Sequence, residues 1–136
     1  MILSISHHCL EAMVACARAA VPHEACGLLL GSGHVIDAAV PAANVATQPS
    51  DHFEIDPAAL IAAHRTAREG GPQVLGYFHS HPNGLGRPSA TDVASAAHDG
   101  RVWIILAHSG MGQWTTTCWR DGPDGFEALS YRIAQG

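Results

Sequence analysis

Apolar and polar positions divide the chain into short alternating segments. Met1–Ile5 alternates apolar and polar residues as a half-buried strand does. Ser6 follows as an N-cap. Leu10, Met13, Val14 and Ala17 then recur at helical spacing, predicting a helix to about Ala20, with Pro22 marking the boundary beyond it. Cys26–Leu30 is an apolar run that predicts a buried strand; Gly31-Ser32-Gly33 is a turn, and His34–Val40 its hairpin partner. Asn44–Asp51 is polar and loop-like, and Phe53-Glu54-Ile55 predicts another short strand. Asp56-Pro57 pairs an N-cap with a proline at the first helical position, so a helix runs to about Glu69, where Gly70-Gly71-Pro72 stops it. Val74–His79 reads as a strand, His81–Pro88 as a loop, and Ser89 opens a third helix through about His98. Val102–Ala107 has the composition of a central strand. Gln113–Arg120 and Phe126–Ile133 close the chain as two more strands, with turns at Ser109–Gly112 and Asp121–Gly125. The order predicts an α/β (α+β) fold, one mixed sheet flanked by helices, with residues 1–136 as a single domain.

Composition narrows the classes. Hydrophobic residues make up 47% and charged residues 14%, enough to bury a core and too apolar for a disordered chain. Seven basic against twelve acidic residues give a net charge of −5, and every basic residue is arginine. A chain so poor in cations is not expected to bind nucleic acid or an anionic membrane surface. The longest apolar runs, such as Val102–Ala107, fall far short of the roughly 20 residues of a spanning helix. Met1–Ile5 has no basic flank and does not read as a signal peptide. Cys9, Cys16, Cys26 and Cys118 include no CxxC pair and read as reduced thiols of a cytoplasmic protein.

The chemistry concentrates in Gly76-Tyr77-Phe78-His79-Ser80-His81-Pro82 and Ser89-Ala90-Thr91-Asp92. Residues i and i+2 of a strand face the same way, so His79 and His81 can converge on one ion. Asp92 falls in the first turn of the helix that Ser89 caps. Two histidines and one carboxylate leave a tetrahedral zinc ion one open position, the pattern of catalytic rather than structural sites. A water there acquires a pKa near 7 and becomes a nucleophile at neutral pH. The candidate general base is Glu24, a carboxylate placed just before an apolar strand.

These residues resemble the JAMM (MPN-plus) metalloproteases: an upstream glutamate, then His-x-His-Pro, six residues, Ser, two residues, Asp. Here the pattern reads Glu24, His79-Ser80-His81-Pro82, Asn83–Pro88, Ser89 and Asp92 without departure, spanning about 70 residues. The resemblance implies a fold similar to cytidine deaminases and one zinc ion per chain, held by His79, His81 and Asp92. It implies that Glu24 shuttles the proton and that Ser89 holds the zinc water or the developing oxyanion. It also implies hydrolysis of the amide bond after the C-terminal Gly-Gly of a ubiquitin-like protein. The absence of room for the insertions of larger relatives favours a prokaryotic sulfur-carrier type of substrate.

Plainer readings compete at each position. Asp92 and Ser89 also satisfy a capping box, and the tryptophans Trp103, Trp114 and Trp119 read as core. A zinc deaminase would show H-x-E and P-C-x-x-C, and the chain has neither. A non-catalytic MPN scaffold that binds ubiquitin-like or other partners would be expected to lack a ligand, and none is missing.

Overall fold

A computed structural model describes residues 2–135. Seven strands and three helices follow the order β1 (Ile2–Ser6), α1 (His7–Ala20), β2 (Cys26–Ser32), β3 (Val35–Ala42), α2 (Pro57–Arg68), β4 (Gln73–His81), α3 (Ala90–Ser95), β5 (Val102–Gly110), β6 (Gln113–Gly122) and β7 (Gly125–Ala134). The one mixed sheet closes on itself in the order β1-β3-β2-β4-β5-β6-β7. Closure was not legible from the sequence, because it depends on the parallel pairing of β1 with β7, in which Ile5 meets Ile133. Met1 lies outside the described residues.

The predicted helix starts hold. Ser6 caps α1 by accepting the Cys9 N–H, and Asp56 caps α2 by accepting the Ala58 N–H, with Pro57 at the first helical position. Met13 and Ala17 of α1 pack on Leu3, Ile5, Leu29, Ile36, Phe78, Ile104 and Leu106, forming the main core. A second cluster of Cys26, Leu28, Ile55 and Val74 packs against Leu60 and Ala63 of α2.

Three expectations need correction. Phe53–Ile55 is not a strand; only Ile55 bridges, to Asn44. β4 runs on through His81, so both histidines lie within the strand, not one in a loop. α3 ends at Ser95 instead of His98: Ala96 turns extended and His98 takes a positive φ of 56°, a conformation that helix propensity does not foresee.

β4 is the pivot of the sheet. It lies antiparallel to β2 and parallel to β5. The antiparallel neighbour brings the start of β2 to the end of β4, pairing Cys26 with His79. A parallel neighbour requires a crossover, and here the crossover carries α3 past the same end. Gly76 makes the β4–β5 approach possible, since a Cβ there would collide with the Val102 carbonyl. One end of one strand thus gathers residues from three distant parts of the sequence.

Candidate metal centre

His79, His81, Asp92 and Glu24 are 0%, 2%, 2% and 5% exposed. Four ionisable groups this deeply buried need strong mutual compensation or a ligand. His79 Nε2 and His81 Nε2 lie 3.1 Å apart. Asp92 Oδ2 lies 3.0 Å from the first and 3.2 Å from the second. These three atoms form a nearly equilateral triangle. A tetrahedral ion with bonds of about 2.0–2.1 Å separates its ligands by about 3.3 Å, so one triangular face of that geometry is already built.

The outer contacts orient the rings. His81 Nδ1 donates to the Leu85 carbonyl at 2.7 Å, which fixes the ring with Nε2 facing inward, the orientation a ligating histidine requires. His79 is held by ring packing: Phe53 stacks on it at 4.3 Å between centroids, and Trp103 meets it edge-on at 5.6 Å. His79 Nδ1 has no hydrogen-bond partner.

Asp92 reaches the triangle through its cap. Ser89 Oγ accepts the Asp92 N–H at 3.0 Å, and Asp92 Oδ2 accepts the Ser89 N–H at 2.9 Å, completing the capping box. The same oxygen therefore closes the cap and faces both imidazoles. Although burial opposes its charge, hydrogen bonds from His79 and His81 hold the Asp92 carboxyl far below the usual carboxylate range.

Glu24 stands slightly farther out. Its Oε2 is 4.0 Å from His81 Nε2, and its Oε1 has no partner. Glu24, His79 and His81 each offer an atom within 4.8 Å of the others, so either carboxylate can complete a three-ligand set. The Asp92 set is the tighter, and Glu24 is left one water's width away. Burial pushes the Glu24 carboxyl up to about 7, with His81 pulling it down and Asp92 and Asp51 raising it further.

Two supporting residues escape the sequence pattern. Ser80, fully buried between the histidines, accepts the Ala25 N–H on its Oγ at 2.7 Å. Asn44 uses its whole amide. It donates to the Glu24 and His52 carbonyls at 3.0 Å each, and accepts from Ala46 N–H at 3.1 Å and Glu54 N–H at 3.0 Å. It thereby fixes both the Glu24 backbone and the loop that presents Phe53 to His79. Only the position of Ser80 within His-x-His singled it out; a loop asparagine carries no signal of this kind.

A family model, prokaryotic homologs of the JAB domain, matches residues 6–121. The chain belongs to this family. It is 34% identical over 99 residues to the desampylase of Haloferax volcanii, a match covering 69% of this chain and 71% of that one. It is 35% identical over 75 residues to the probable TtuB-protein conjugate cleaving protease of Thermus thermophilus, covering 55% of this chain and half of that protein. A solution structure of a protein from Desulfitobacterium hafniense superposes with a TM-score of 0.87 and 29% identity, covering 99% of this chain and 94% of the other. The JAMM resemblance and the mixed-sheet fold stand, and the relatives place the chain among hydrolases. Among the described residues no helix is long and apolar enough to cross a membrane.

Proposed function

We propose that this chain, as a single JAMM domain, is a zinc-dependent metallopeptidase or isopeptidase. Its substrate is the C-terminal tail of a ubiquitin-like protein of the sulfur-carrier type, cut after Gly-Gly. The observation that carries the reading is the triangle of His79 Nε2, His81 Nε2 and Asp92 Oδ2, with Glu24 buried beside it. The relatives in Haloferax and Thermus support the substrate class by what they are named for.

The donor set fits zinc: His79, His81 and Asp92 would hold it, two imidazole nitrogens and one carboxylate oxygen already spaced like one face of a tetrahedron. When bound, the ion supplies Lewis acidity that activates water and polarises the scissile carbonyl. The chain's own residues do the rest. Glu24 Oε2 accepts a proton from the attacking water and returns it to the departing nitrogen. Burial raises this carboxyl and makes it a stronger base than an exposed glutamate, which suits both halves of that task. Ser89 Oγ, beside Asp92 and half-buried, can still donate its own hydrogen to the water or to the oxyanion while accepting at the cap. Ser80 and Asn44 keep the base and the histidines in register, because geometry within about half an ångström decides such rates. The four unpaired thiols suit a reducing compartment, the cytoplasm.

The test is direct. The zinc-loaded chain is incubated with small Gly-Gly-ending carrier proteins extended or conjugated at the C-terminus, and products are read by intact mass. Loss of the extension after Gly-Gly, blocked by a chelator and by Glu24→Gln, is the expected result. A zinc-loaded chain that cuts none of them would overturn the reading.

A further inference from the structure

A cavity of about 220 Å³ opens beside the metal centre, and it shares Asp92 in its wall. The remaining wall is mostly the apolar surface of Phe53, Ile55, Leu60, Tyr77 and Trp103, with His52, Glu54 and Ser95 as its polar members. Phe53 and Trp103 are the same two rings that pack on His79, so the cavity and the metal centre share these two walls. Its size is below the range of about 300–1,000 Å³ typical of sites for whole small molecules, and suits a single side chain.

Two polar atoms of the wall residues lack partners among the described residues. Trp103 is 5% exposed, yet its indole Nε1–H has no acceptor, and His52 Nδ1 in the same wall is also unpartnered. Buried indole N–H groups ordinarily find a partner. Both atoms are sealed within the wall, so a ligand in the cavity meets mainly the apolar faces of Phe53, Leu60, Tyr77 and Trp103.

From these features we infer that the cavity receives the side chain of the residue immediately after the scissile bond, and that this residue is apolar or aromatic. The inference rests on the proposed Gly-Gly cleavage. The two residues before the cut are then glycines with nothing to place in a pocket, so a pocket bordering a metal ligand serves the leaving side. The preferred substrate is accordingly a linear C-terminal extension that begins with a residue such as phenylalanine or leucine. An acidic first residue would lose its hydration in this wall and meet the carboxylates of Asp92 and Glu54.

Two measurements test this. First, carrier proteins extended after Gly-Gly by Phe, Leu, Gly, Asp or Lys are compared by kcat/KM. The expected result is a preference for Phe and Leu over Gly and Asp of about tenfold to a hundredfold, the usual discrimination of an apolar pocket. Narrowing the cavity with Leu60→Trp should reduce that preference to near unity, with zinc content and thermal unfolding verifying the fold. Equal cleavage of all five, or a preference for Asp or Lys, overturns the inference while leaving Gly-Gly cleavage intact.

Second, binding is followed without catalysis. The zinc-loaded Glu24→Gln protein is titrated with the uncleaved peptides acetyl-Gly-Gly-Phe-amide and acetyl-Gly-Gly-Asp-amide. Nuclear magnetic resonance reads the Trp103 indole N–H and the Ile55 and Leu60 methyl groups. Saturable shifts at these signals with the Phe peptide alone support the pocket even if no protein substrate is cut. Absence of shifts, or the same shifts with both peptides, overturns it.

Discussion

Ser80 Oγ accepts the Ala25 N–H at 2.7 Å, so the strand that carries both histidines also grips the residue next to Glu24. The Ser80 N–H donates back to the Ala25 carbonyl at 3.0 Å, making the grip two-sided. Ser80→Ala should leave the Ala25 N–H buried and unpaired, at a cost of about 1–3 kcal/mol. The expected outcome is a lower denaturant midpoint and a reduced kcat with zinc still bound. Unchanged stability would show that the bond contributes nothing.

Glu24→Gln keeps the shape of the side chain and removes the base. It should retain one zinc per chain by metal analysis and lose about 10²–10⁴-fold in rate. The wild-type pH profile carries the matching sign. The ionised carboxylate is the active form, so kcat/KM should fall as pH drops through the Glu24 pKa. That value is about 7 without metal, and a neighbouring dication lowers it, which places the acid limb at or below pH 7.

Position 92 separates capping from metal binding. Asp92→Asn retains an oxygen that can accept the Ser89 N–H, whereas Asp92→Ala does not. Both should lose zinc affinity, but only the alanine variant should also lose the acceptor for the Ser89 N–H, the reciprocal half of the capping box, worth about 1 kcal/mol or less. Thermal unfolding of the metal-free proteins checks the difference. Ser89→Ala should show the cap penalty while still binding zinc.

The buried thiols set an alkaline limit. Burial pushes Cys26 and Cys118 up to about 12, with the charges of Cys16 and Glu24 adding to the rise at Cys26. The ordinary value near 9 applies once the chain unfolds. Above pH 9 the unfolded state therefore sheds protons that the folded state keeps, and stability falls until about pH 12. Unfolding free energies from urea titrations at pH 8 and pH 10 should differ by about 1 kcal/mol per thiol. Replacing Cys118 with alanine should remove its share of the pH dependence, whatever it costs at pH 8.

The local signals in the sequence were strong where one residue decides the outcome. Ser6 and Asp56 begin helices because each supplies an acceptor for an orphan N–H, and the structure uses both. His79 and His81 share a face because strands alternate, and their Nε2 atoms meet at 3.1 Å. What stayed hidden was non-local. No periodicity tells that β1 will pair with β7, that Asn44 will hold Glu24 and His52 together, or that Phe53 will stack on His79. Even the end of β4 lies two residues beyond the Val74–His79 run, because Pro82 and the glycines after it resemble a loop that starts earlier.

Through one atom, Oδ2, Asp92 closes a helix cap and completes the triangle with the two imidazole nitrogens. Drift at this position is therefore constrained twice. A descendant that abandoned hydrolysis would still need an acceptor three residues after the serine to keep its short helix. An aspartate there is a poor marker of an active enzyme when genomes are surveyed. The histidine pair, which caps nothing, is the better diagnostic.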